Sequence, residues 1–537
     1  MALSILRCIF LLIAVACASI VHAQPAASLA STGSVFDDAN GNGVFDTGEK
    51  GIAHVAVSNG RDVVRTDNVG SYSLQVQPGQ TVFVVKPAGW RVATGATGMP
   101  LFWRHHVPSG GTALKYGGIA PTGALPASID FPLRRESVRK RDLDVLVFGD
   151  SQPKSIVDVD YYDDDIVTPI VGTHQAQLGL TLGDIVHDDL SLYPAIQAVT
   201  AKLGVPWLHV AGNHDLDFDA ARDEDSLLTF RSHFGPDTFA WEETNAAFIV
   251  LDDVVYRPAQ RPVYVGGLRQ DQFAFLAAYL PTVPKNRLLV LAVHIPFFNT
   301  SPVPQGQSFR VADRERLFGL LKDFPHVLLL SAHSHTQQHV LHGAGSGWHG
   351  ATPLHEYNVG AACGAFWSGV KDAAGIPDAT MADGTPNGYA TLKVNLGGKY
   401  ALAWHPARDA GDTQIALHAP TVLRQGAYPA FAVFANVYMG RDDSKVEYRI
   451  DDGDWEPMTR TLQSDPRLIA ENVDDDRTHA LRGYDRTPPA EPSPHLWRGT
   501  LPTDLAVGVH AIEVRAFDTW RGEQTARTSY RLDLAGE

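Results

Sequence analysis

Cysteine is scarce in this sequence, and its scarcity excludes a disulfide framework. Only 3 cysteines occur among 537 residues, and two of them, Cys8 and Cys17, lie in an apolar segment at the N-terminus. If that segment is removed, Cys363 alone remains and cannot form an internal disulfide. The domains must therefore be stabilised by their apolar cores. No recognised nucleophile motif surrounds Cys363, which favours a small buried residue at this position.

A surplus of basic residues and a long apolar run are also missing. Lys and Arg total 44 against 60 for Asp and Glu, which gives a net charge of −16 at pH 7. An acidic chain binds nucleic acid and anionic membranes poorly, so we expect neither as the main partner and no nucleic-acid scaffold role. No segment after the N-terminal one has the roughly 18 consecutive apolar residues of a membrane-spanning helix. We therefore expect no membrane span.

The first 23 residues have the pattern of a secretory signal peptide. Arg7 precedes an apolar run over 8–15, and small residues lead to the cleavage pattern Val21-His22-Ala23. This pattern predicts export to the periplasm or the extracellular space. A lipid anchor on Cys17 is the less favoured alternative, because Ala14 is a poor residue three positions before a lipoprotein cysteine.

The rest of the chain consists of three segments with different patterns of apolar and polar residues, which predict three domains. Short alternating apolar runs separated by Gly, Asn and Asp predict a small antiparallel β-sandwich over 31–133. A basic linker over 134–141 follows. Apolar strands that alternate with helical periodicity predict a layered α/β-sandwich with buried, largely parallel strands over 140–409. The alternating runs over 415–537 resemble an immunoglobulin or fibronectin-like β-sandwich.

Residue types that bind metals follow five of the predicted strands of the central domain. These strands are predicted at 143–148, 177–182, 206–210, 288–293 and 327–330. The residues of interest after them are Asp150, Gln152, Asp184, His187, Asp188, Asn213, His214, Asp215, His294, His333 and His335. Because strand ends converge at one edge of a sheet, residues far apart in sequence can meet there.

This set of residues predicts a centre of two metal ions. Carboxylate, amide and imidazole donors together suit borderline divalent ions such as Mn, Fe or Zn. The donors outnumber the needs of one ion, and Asp184 can bridge two. Such a pair would lower the pKa of a shared water and neutralise phosphate oxygens, which would let an acidic protein act on phosphate esters.

The five motifs, in this order, resemble those of the calcineurin-like metallophosphoesterase family. The resemblance covers about 143–404, and the three-part order is similar to bacterial exported members with N- and C-terminal accessory domains. The resemblance implies two ligand sets that share one carboxylate. One set is Asp150, Gln152, Asp184 and His335, and the other is Asp184, Asn213, His294 and His333.

The resemblance also implies a non-ligand histidine, His214, that binds the phosphate and assists departure of the leaving group. In the family an acidic residue of the second motif orients this histidine. Asp188 is the candidate here, and Asp215 is the less favoured one. The chain departs from the family pattern at Gln152, where His is usual, and at His187, where Asp is usual. The amide oxygen of Gln152 is a weaker donor, so the first ion would be held less tightly or would be a harder ion.

The segment 355–389, after the last motif, is rich in Gly and aromatic residues. Two interpretations of it stay open. Phe366 and Trp367 either line the pocket or only close the core.

An oxygen-rich loop in the N-terminal domain fits the twelve-residue calcium loop at every ligand position. Its ligand positions hold Asp38, Asn40, Asn42, Val44 (through its backbone carbonyl), Asp46 and Glu49. A solvated acidic loop is the alternative interpretation. No helical pattern flanks the loop, and 40–74 resembles the calcium-binding B-type repeats of bacterial surface adhesins. We therefore expect one calcium ion that stabilises a β-domain.

The leading hypothesis is hydrolysis of phosphomonoesters or phosphodiesters by a metal-bridged hydroxide, with His214 assisting the leaving group. One alternative is a non-catalytic, calcium-stabilised surface-binding protein. Random loss of ligands would favour that alternative, but every ligand position here still holds a donor. The other alternative is a nucleotide diesterase or pyrophosphatase, because the family motifs are common to all these activities.

Overall fold

The structure is a computed structural model that describes residues 28–95, 97–111, 113–136, 142–300, 308–408, 413–428 and 431–535. The predicted signal peptide, 1–23, lies outside these residues and stays a prediction. The same holds for 137–141, most of the predicted linker. Within the described ranges, no helix combines the length and the apolar character needed to cross a membrane.

The N-terminal region consists of two small β-sheets. Its strands are β1 Leu29–Asp37, β2 Lys50–Gly51, β3 Ala56–Ser58, β4 Val63–Arg65, β5 Ser71–Val76, β6 Gln80–Val84, β7 Trp90–Val92, β8 Trp103–His106 and β9 Phe131–Arg135. One sheet has the order β2-β1-β9-β7, with β5 also paired to β1, and the other has the order β4-β3-β6-β8. The pairing is antiparallel as predicted, except that β1 and β9 run parallel.

The central region alternates strands and helices. Its strands are β10 Leu143–Phe148, β11 Leu178–Leu182, β12 Trp207–Val210, β13 Phe239–Glu242, β14 Ala246–Val250, β15 Val254–Tyr256, β16 Tyr264–Gly266, β17 Leu288–Ala292, β18 Val327–Ser331, β19 Gln338–His342, β20 Leu354–Asn358, β21 Gly388–Val394 and β22 Tyr400–Pro406. Its helices are α1 Ile156–Tyr162, α2 Tyr193–Thr200, α3 Leu228–Phe234, α4 Gln270–Tyr279 and α5 Val311–Leu321.

These strands form two mixed sheets, with orders β12-β11-β10-β21-β22 and β13-β14-β17-β18-β20-β19. The inner strands are parallel as predicted, whereas β13, β19, β21 and β22 pair antiparallel with their neighbours. Every residue of β11, β14, β17, β18 and β20 is buried. This burial explains why β11, β14, β17 and β18 are almost continuous apolar runs in the sequence, whereas β20 buries the polar residues His355, Glu356 and Asn358. The predicted α/β fold class, with β-rich regions on either side, is confirmed.

The C-terminal region is again built from two sheets. Its strands are β23 Ile415–His418, β24 Val422–Arg424, β25 Phe431–Val437, β26 Val446–Ile450, β27 Glu456–Pro457, β28 Thr459–Ser464, β29 Pro492–Leu501, β30 Gly508–Asp518 and β31 Gly522–Asp533, with one helix, α6 Pro466–Asp476. The sheet orders are β23-β25-β29-β28 and β24-β31-β30-β26-β27. Inward residues of both sheets, such as Val433 and Ile512, form a separate apolar core.

Both flanking regions pack against the central one. On the N-terminal side, Phe102 contacts Phe239 and Trp241, with ring centroids 5.2 and 5.6 Å apart. On the C-terminal side, buried polar groups join the regions. His495 Nε2 lies 3.0 Å from Asp383 Oδ2, and Asn436 Nδ2 donates to the backbone oxygen of Asp383 at 2.8 Å. A buried polar network of this kind fixes one relative orientation of its partners.

Candidate metal centre

The two central sheets meet at the edge where β10, β11, β12, β17 and β18 end. His294, directly after β17, donates its Nδ1–H to the backbone oxygen of Leu182, at the end of β11, at 2.8 Å. This hydrogen bond spans the two sheets. It also directs Nε2 of His294 toward the ends of the other strands.

Four of the predicted ligands meet at that nitrogen. The Nε2 atom of His294 lies 3.0 Å from Asn213 Oδ1 and 3.2 Å from Asp184 Oδ2. It lies 3.1 Å from Nδ1 of His333. The structure therefore brings together the whole second ligand set, Asp184, Asn213, His294 and His333.

The first ligand set lies beside the second. Gln152 donates its backbone N–H to the backbone oxygen of Asp184 at 3.0 Å. His335 Nε2 lies 3.7 Å from Asp150 Oδ1, and His335 donates its Nδ1–H to the backbone oxygen of Gly364 at 2.6 Å. Asp150 is 0% exposed, and its Oδ1 atom has no hydrogen-bond partner among the described residues. A buried carboxylate oxygen without a donor is stabilised by a nearby cation or by protonation of the carboxylate.

The backbone at this edge adopts a conformation that residues other than glycine rarely take. Positive φ angles occur at six of the predicted site residues: Asp150 (28°), Gln152 (39°), Asp184 (47°), Asp188 (63°), His333 (68°) and His335 (50°). Such conformations are costly, and they cluster where side chains must point in a required direction.

Small residues make the close approach of these turns possible. A Cβ atom on Gly212 would lie 2.2 Å from Asp184 Oδ1, and one on Gly183 would lie 2.5 Å from the ring of His294. Only glycine can therefore precede the ligands Asn213 and Asp184 in this arrangement.

The electrostatics of the cluster suit bound cations. Burial raises the pKa of Asp150. Burial also lowers the pKa of His333 to about 3 and that of His335 to about 4, so both imidazoles stay neutral and keep a lone pair. Burial disfavours a charge on His294, but the carboxylates of Asp184, Asp150 and Asp253 together outweigh burial and raise the pKa of His294 to about 10. A divalent cation among these donors would replace that proton. The donor set therefore fits divalent metal ions.

His214 lies next to this cluster and has an acidic partner. Its Nδ1 donates to Asp188 Oδ1 at 2.7 Å, and its backbone N–H donates to Asp184 Oδ1 at 2.8 Å. Burial lowers the pKa of His214, but the hydrogen bond with Asp188 and the charges of the Asp184 and Asp188 carboxylates together outweigh burial, so the net shift is upward. His187, noted as a departure from the family pattern, stacks on His214 with ring centroids 4.4 Å apart.

Asp215, the alternative partner, points elsewhere. Its carboxylate accepts hydrogen bonds from the backbone N–H of Gly212 at 2.8 Å and of Ile185 at 3.2 Å, and from the hydroxyl of Tyr193 at 3.0 Å. Asp215 therefore ties the loops after β11 and β12 together.

Two further residues, which no sequence motif marked, support the site. Asp253 accepts hydrogen bonds from the backbone N–H groups of His294 at 3.0 Å and of Ile295 at 3.1 Å. Asp253 follows the apolar strand β14, so the pattern of a strand followed by an acidic residue could have revealed it. Tyr116, in the N-terminal region, donates its hydroxyl to the backbone oxygen of Asp188 at 3.0 Å. No local sequence pattern predicts a contact between such distant segments.

Family models match all three regions of the chain. The model described as calcineurin-like phosphoesterase matches 139–337, and the models for the N terminal and the C terminal of calcineurin-like phosphoesterase match 39–116 and 356–523. The chain belongs to the calcineurin-like phosphoesterases. Membership means that this protein is a metal-dependent phosphoesterase that acts on phosphate esters through divalent ions.

Solved structures were also compared with this phosphoesterase. The purple acid phosphatase PPD1 of yellow lupin (Lupinus luteus) matches with a TM-score of 0.37 and 12% identity, over 66% of this chain and 68% of that chain. The protein TT1561 of Thermus thermophilus matches with a TM-score of 0.29 and 12% identity, over 49% of this chain and 98% of that chain. No curated protein sequence matches the chain.

A cavity of about 390 Å³ opens onto the predicted ligands of this phosphoesterase. Phe366 lines the cavity, whereas Trp367 is 4% exposed and donates its indole N–H to the backbone oxygen of Ser151 at 2.9 Å. Phe366 therefore lines the pocket, and Trp367 closes the core. Cys363 is buried, and its Sγ lies 3.8 Å from Gln152 Oε1.

The predicted calcium loop of this phosphoesterase is held together by internal hydrogen bonds. Glu49 accepts hydrogen bonds from the backbone N–H groups of Ala39 at 2.9 Å and of Asp46 at 3.1 Å. Asn40 and Asn42 each donate a side-chain N–H to Asp46 Oδ2 at 2.8 Å. The loop thus gathers oxygen-bearing side chains, but its carboxylates also accept hydrogen bonds from the loop itself.

Proposed function

We propose that this phosphoesterase hydrolyses phosphomonoesters or phosphodiesters at a centre of two divalent transition metal ions, Mn, Fe or Zn. The observation that carries the proposal is the convergence of Asp184, Asn213 and His333 on Nε2 of His294, beside the buried carboxylate of Asp150. Asp150, Gln152, Asp184 and His335 would hold one ion. Asp184, Asn213, His294 and His333 would hold the other. When bound, the ions would supply an activated water and neutralise charge on the phosphoryl group.

His214 would act as the general acid for the leaving group. Asp188 accepts the hydrogen bond from Nδ1, which leaves Nε2 of His214 for the substrate in the cavity that His214 lines. The hydrogen bond from Nδ1 to the Asp188 carboxylate favours the protonated imidazole, so His214 would have a proton for the departing oxygen. Tyr116 would help to position Asp188 through its backbone oxygen.

Metal reconstitution tests this proposal. Chelator-treated protein would be loaded with Mn, Fe or Zn and assayed with p-nitrophenyl phosphate, bis(p-nitrophenyl) phosphate, phosphopeptides and a nucleotide diester. We expect about two ions per chain and ester hydrolysis that depends on them. Full metal loading without hydrolysis of any ester would contradict the proposal and favour a binding role. Turnover of the nucleotide diester alone would assign the nucleotide diesterase alternative.

We also propose that the loop from Asp38 to Glu49 binds one calcium ion. Its support is an oxygen-bearing residue at each ligand position and the near-complete burial of Asp38. We expect calcium at about 100 times its dissociation constant to stabilise the N-terminal region by about 2.7 kcal/mol. The Asp38→Ala variant is expected to lose this gain. Thermal unfolding with calcium and with a calcium chelator, together with calorimetric titration, measures both effects.

The matched control for the calcium experiment is Asp62→Ala, which removes an exposed carboxylate of the same region outside the loop. It is expected to keep the full response to calcium. An equal response in the Asp38→Ala variant would refute the calcium site and leave the solvated acidic loop.

A further inference from the structure

The cavity at the metal centre is completed by the C-terminal region. It is lined by predicted ligands and His214, and also by Pro488, Pro489 and Glu491 of the C-terminal region. We call these last three residues the C-terminal wall. A phosphoryl group held by the ligands would place the rest of an ester in the cavity that this wall helps to line.

The C-terminal wall is held by specific hydrogen bonds. The side chain of Asn472, on α6, donates to the backbone oxygens of Thr487 at 3.3 Å and Pro488 at 3.1 Å. The same side chain accepts from the backbone N–H of Ala490 at 2.8 Å. Two adjacent prolines restrict the backbone further. These contacts therefore fix the backbone conformation of the wall.

The wall is also joined to the central region. The backbone N–H of Glu491 donates to the backbone oxygen of Ala382, another cavity residue, at 2.8 Å. The next residue, Asp383, belongs to the buried network with His495 and Asn436. The backbone of Glu491 thus has a defined position relative to the metal ligands.

Glu491 contributes a negative charge to the lining of the cavity. Its side chain is exposed and makes no hydrogen bond or ion pair with any residue that the structure describes. No Lys or Arg is among the described residues that line the cavity. The nearby Lys154 lies outside the lining and pairs with Asp485 at 3.6 Å. The other wall residues, Pro488 and Pro489, are apolar.

We propose that Glu491 is a specificity-determining residue that selects phosphate esters whose leaving group carries a cationic amine and disfavours leaving groups that carry a carboxylate or a further phosphate. The inference deepens the proposed function and rests on it. A cationic tail that reaches the wall gains attraction to Glu491. An anionic tail is repelled and meets no cation among the lining residues.

Three alkyl monoesters of matched length, with tails that end in ammonium, methyl or carboxylate, test the selection. The metal-loaded enzyme is expected to show kcat/KM values that fall in that order, by about fivefold for each change of one unit charge. Glu491→Gln is expected to bring the ratio between the ammonium and carboxylate esters close to one. Glu491→Lys is expected to invert it.

The matched control is Asp452→Lys. It makes the same change of charge as Glu491→Lys, at an exposed position of the C-terminal region that does not line the cavity. It is expected to keep the wild-type ratio, which separates a local effect from a change in net charge. Unchanged ratios in both Glu491 variants, or a wild-type preference for the carboxylate ester, would overturn the inference.

A binding measurement separates failure of this inference from failure of the proposed function. Calorimetry of the metal-loaded protein with 2-aminoethylphosphonate and 3-phosphonopropionate, which cannot be hydrolysed as esters, is expected to show tighter binding of the aminophosphonate. Glu491→Lys is expected to reverse this order. If no ester is hydrolysed but the order and its reversal are seen, the proposed function fails and the charge selection stands. If esters are hydrolysed but the order does not depend on Glu491, only the charge selection fails.

Discussion

Replacing Asp184 by asparagine is expected to lower the rate of ester hydrolysis by about a thousandfold or more, because several kcal/mol of charge stabilisation would be lost. Asp184 is the ligand shared by both predicted sets. Its Oδ2 lies 3.2 Å from His294 Nε2, and its Oδ1 accepts the backbone N–H of His214 at 2.8 Å. Asparagine keeps the shape and removes the charge. Steady-state kinetics and metal analysis of the same preparation measure the two consequences.

The control for this variant is Asp160→Asn, which neutralises an exposed carboxylate on α1. It is expected to match the wild type in activity and metal content. If the Asp184→Asn protein kept both near-normal hydrolysis and a full complement of metal, a centre built around Asp184 would have to be abandoned.

The His214→Ala variant is expected to lower kcat for alkyl phosphate esters by roughly 10²–10⁴-fold, the usual contribution of a general acid. The loss is expected to be much smaller with p-nitrophenyl phosphate, because its leaving group departs without a proton. Metal content is expected to stay unchanged, since His214 is not among the predicted ligands. Comparing kcat for the two kinds of ester measures the difference directly.

Asp188→Asn provides a graded companion to this experiment. It leaves His214 in place but weakens the hydrogen bond at Nδ1, so we expect an intermediate loss of about 10–100-fold with alkyl esters. Equal losses of His214→Ala with good and poor leaving groups would contradict the role of a general acid. They would indicate that His214 only binds the phosphoryl group.

The fold class and the group of ligands could be predicted because their signals are local. Most inner strands are buried apolar runs with polar residues soon after their ends, as β10 is followed by Gly149 and Asp150. The bounds of β10 agree with the predicted strand 143–148 for the same reason. Convergence at one edge then follows from parallel strands.

Contacts between distant segments could not be predicted in the same way. Strand β21 pairs with β10 although they lie far apart in the chain, and the segment between β20 and β21 contributes Phe366 and Ala382 to the cavity. The choice between Asp188 and Asp215 depended on side-chain direction, which spacing alone does not set. Tyr116 and the C-terminal wall reach the site only through the packing of whole regions.

Strands β20, β21 and β22 come late in the sequence but belong to the central sheets, which limits how far this enzyme can be shortened. The family core model ends at 337, before all three strands. A fragment that stopped there would leave one side of β10 and one side of β18 without a neighbour. Open strands with buried apolar faces recruit other chains and lead to aggregation. Truncation experiments, and any evolutionary loss of the C-terminal part, therefore have to spare the chain through Pro406.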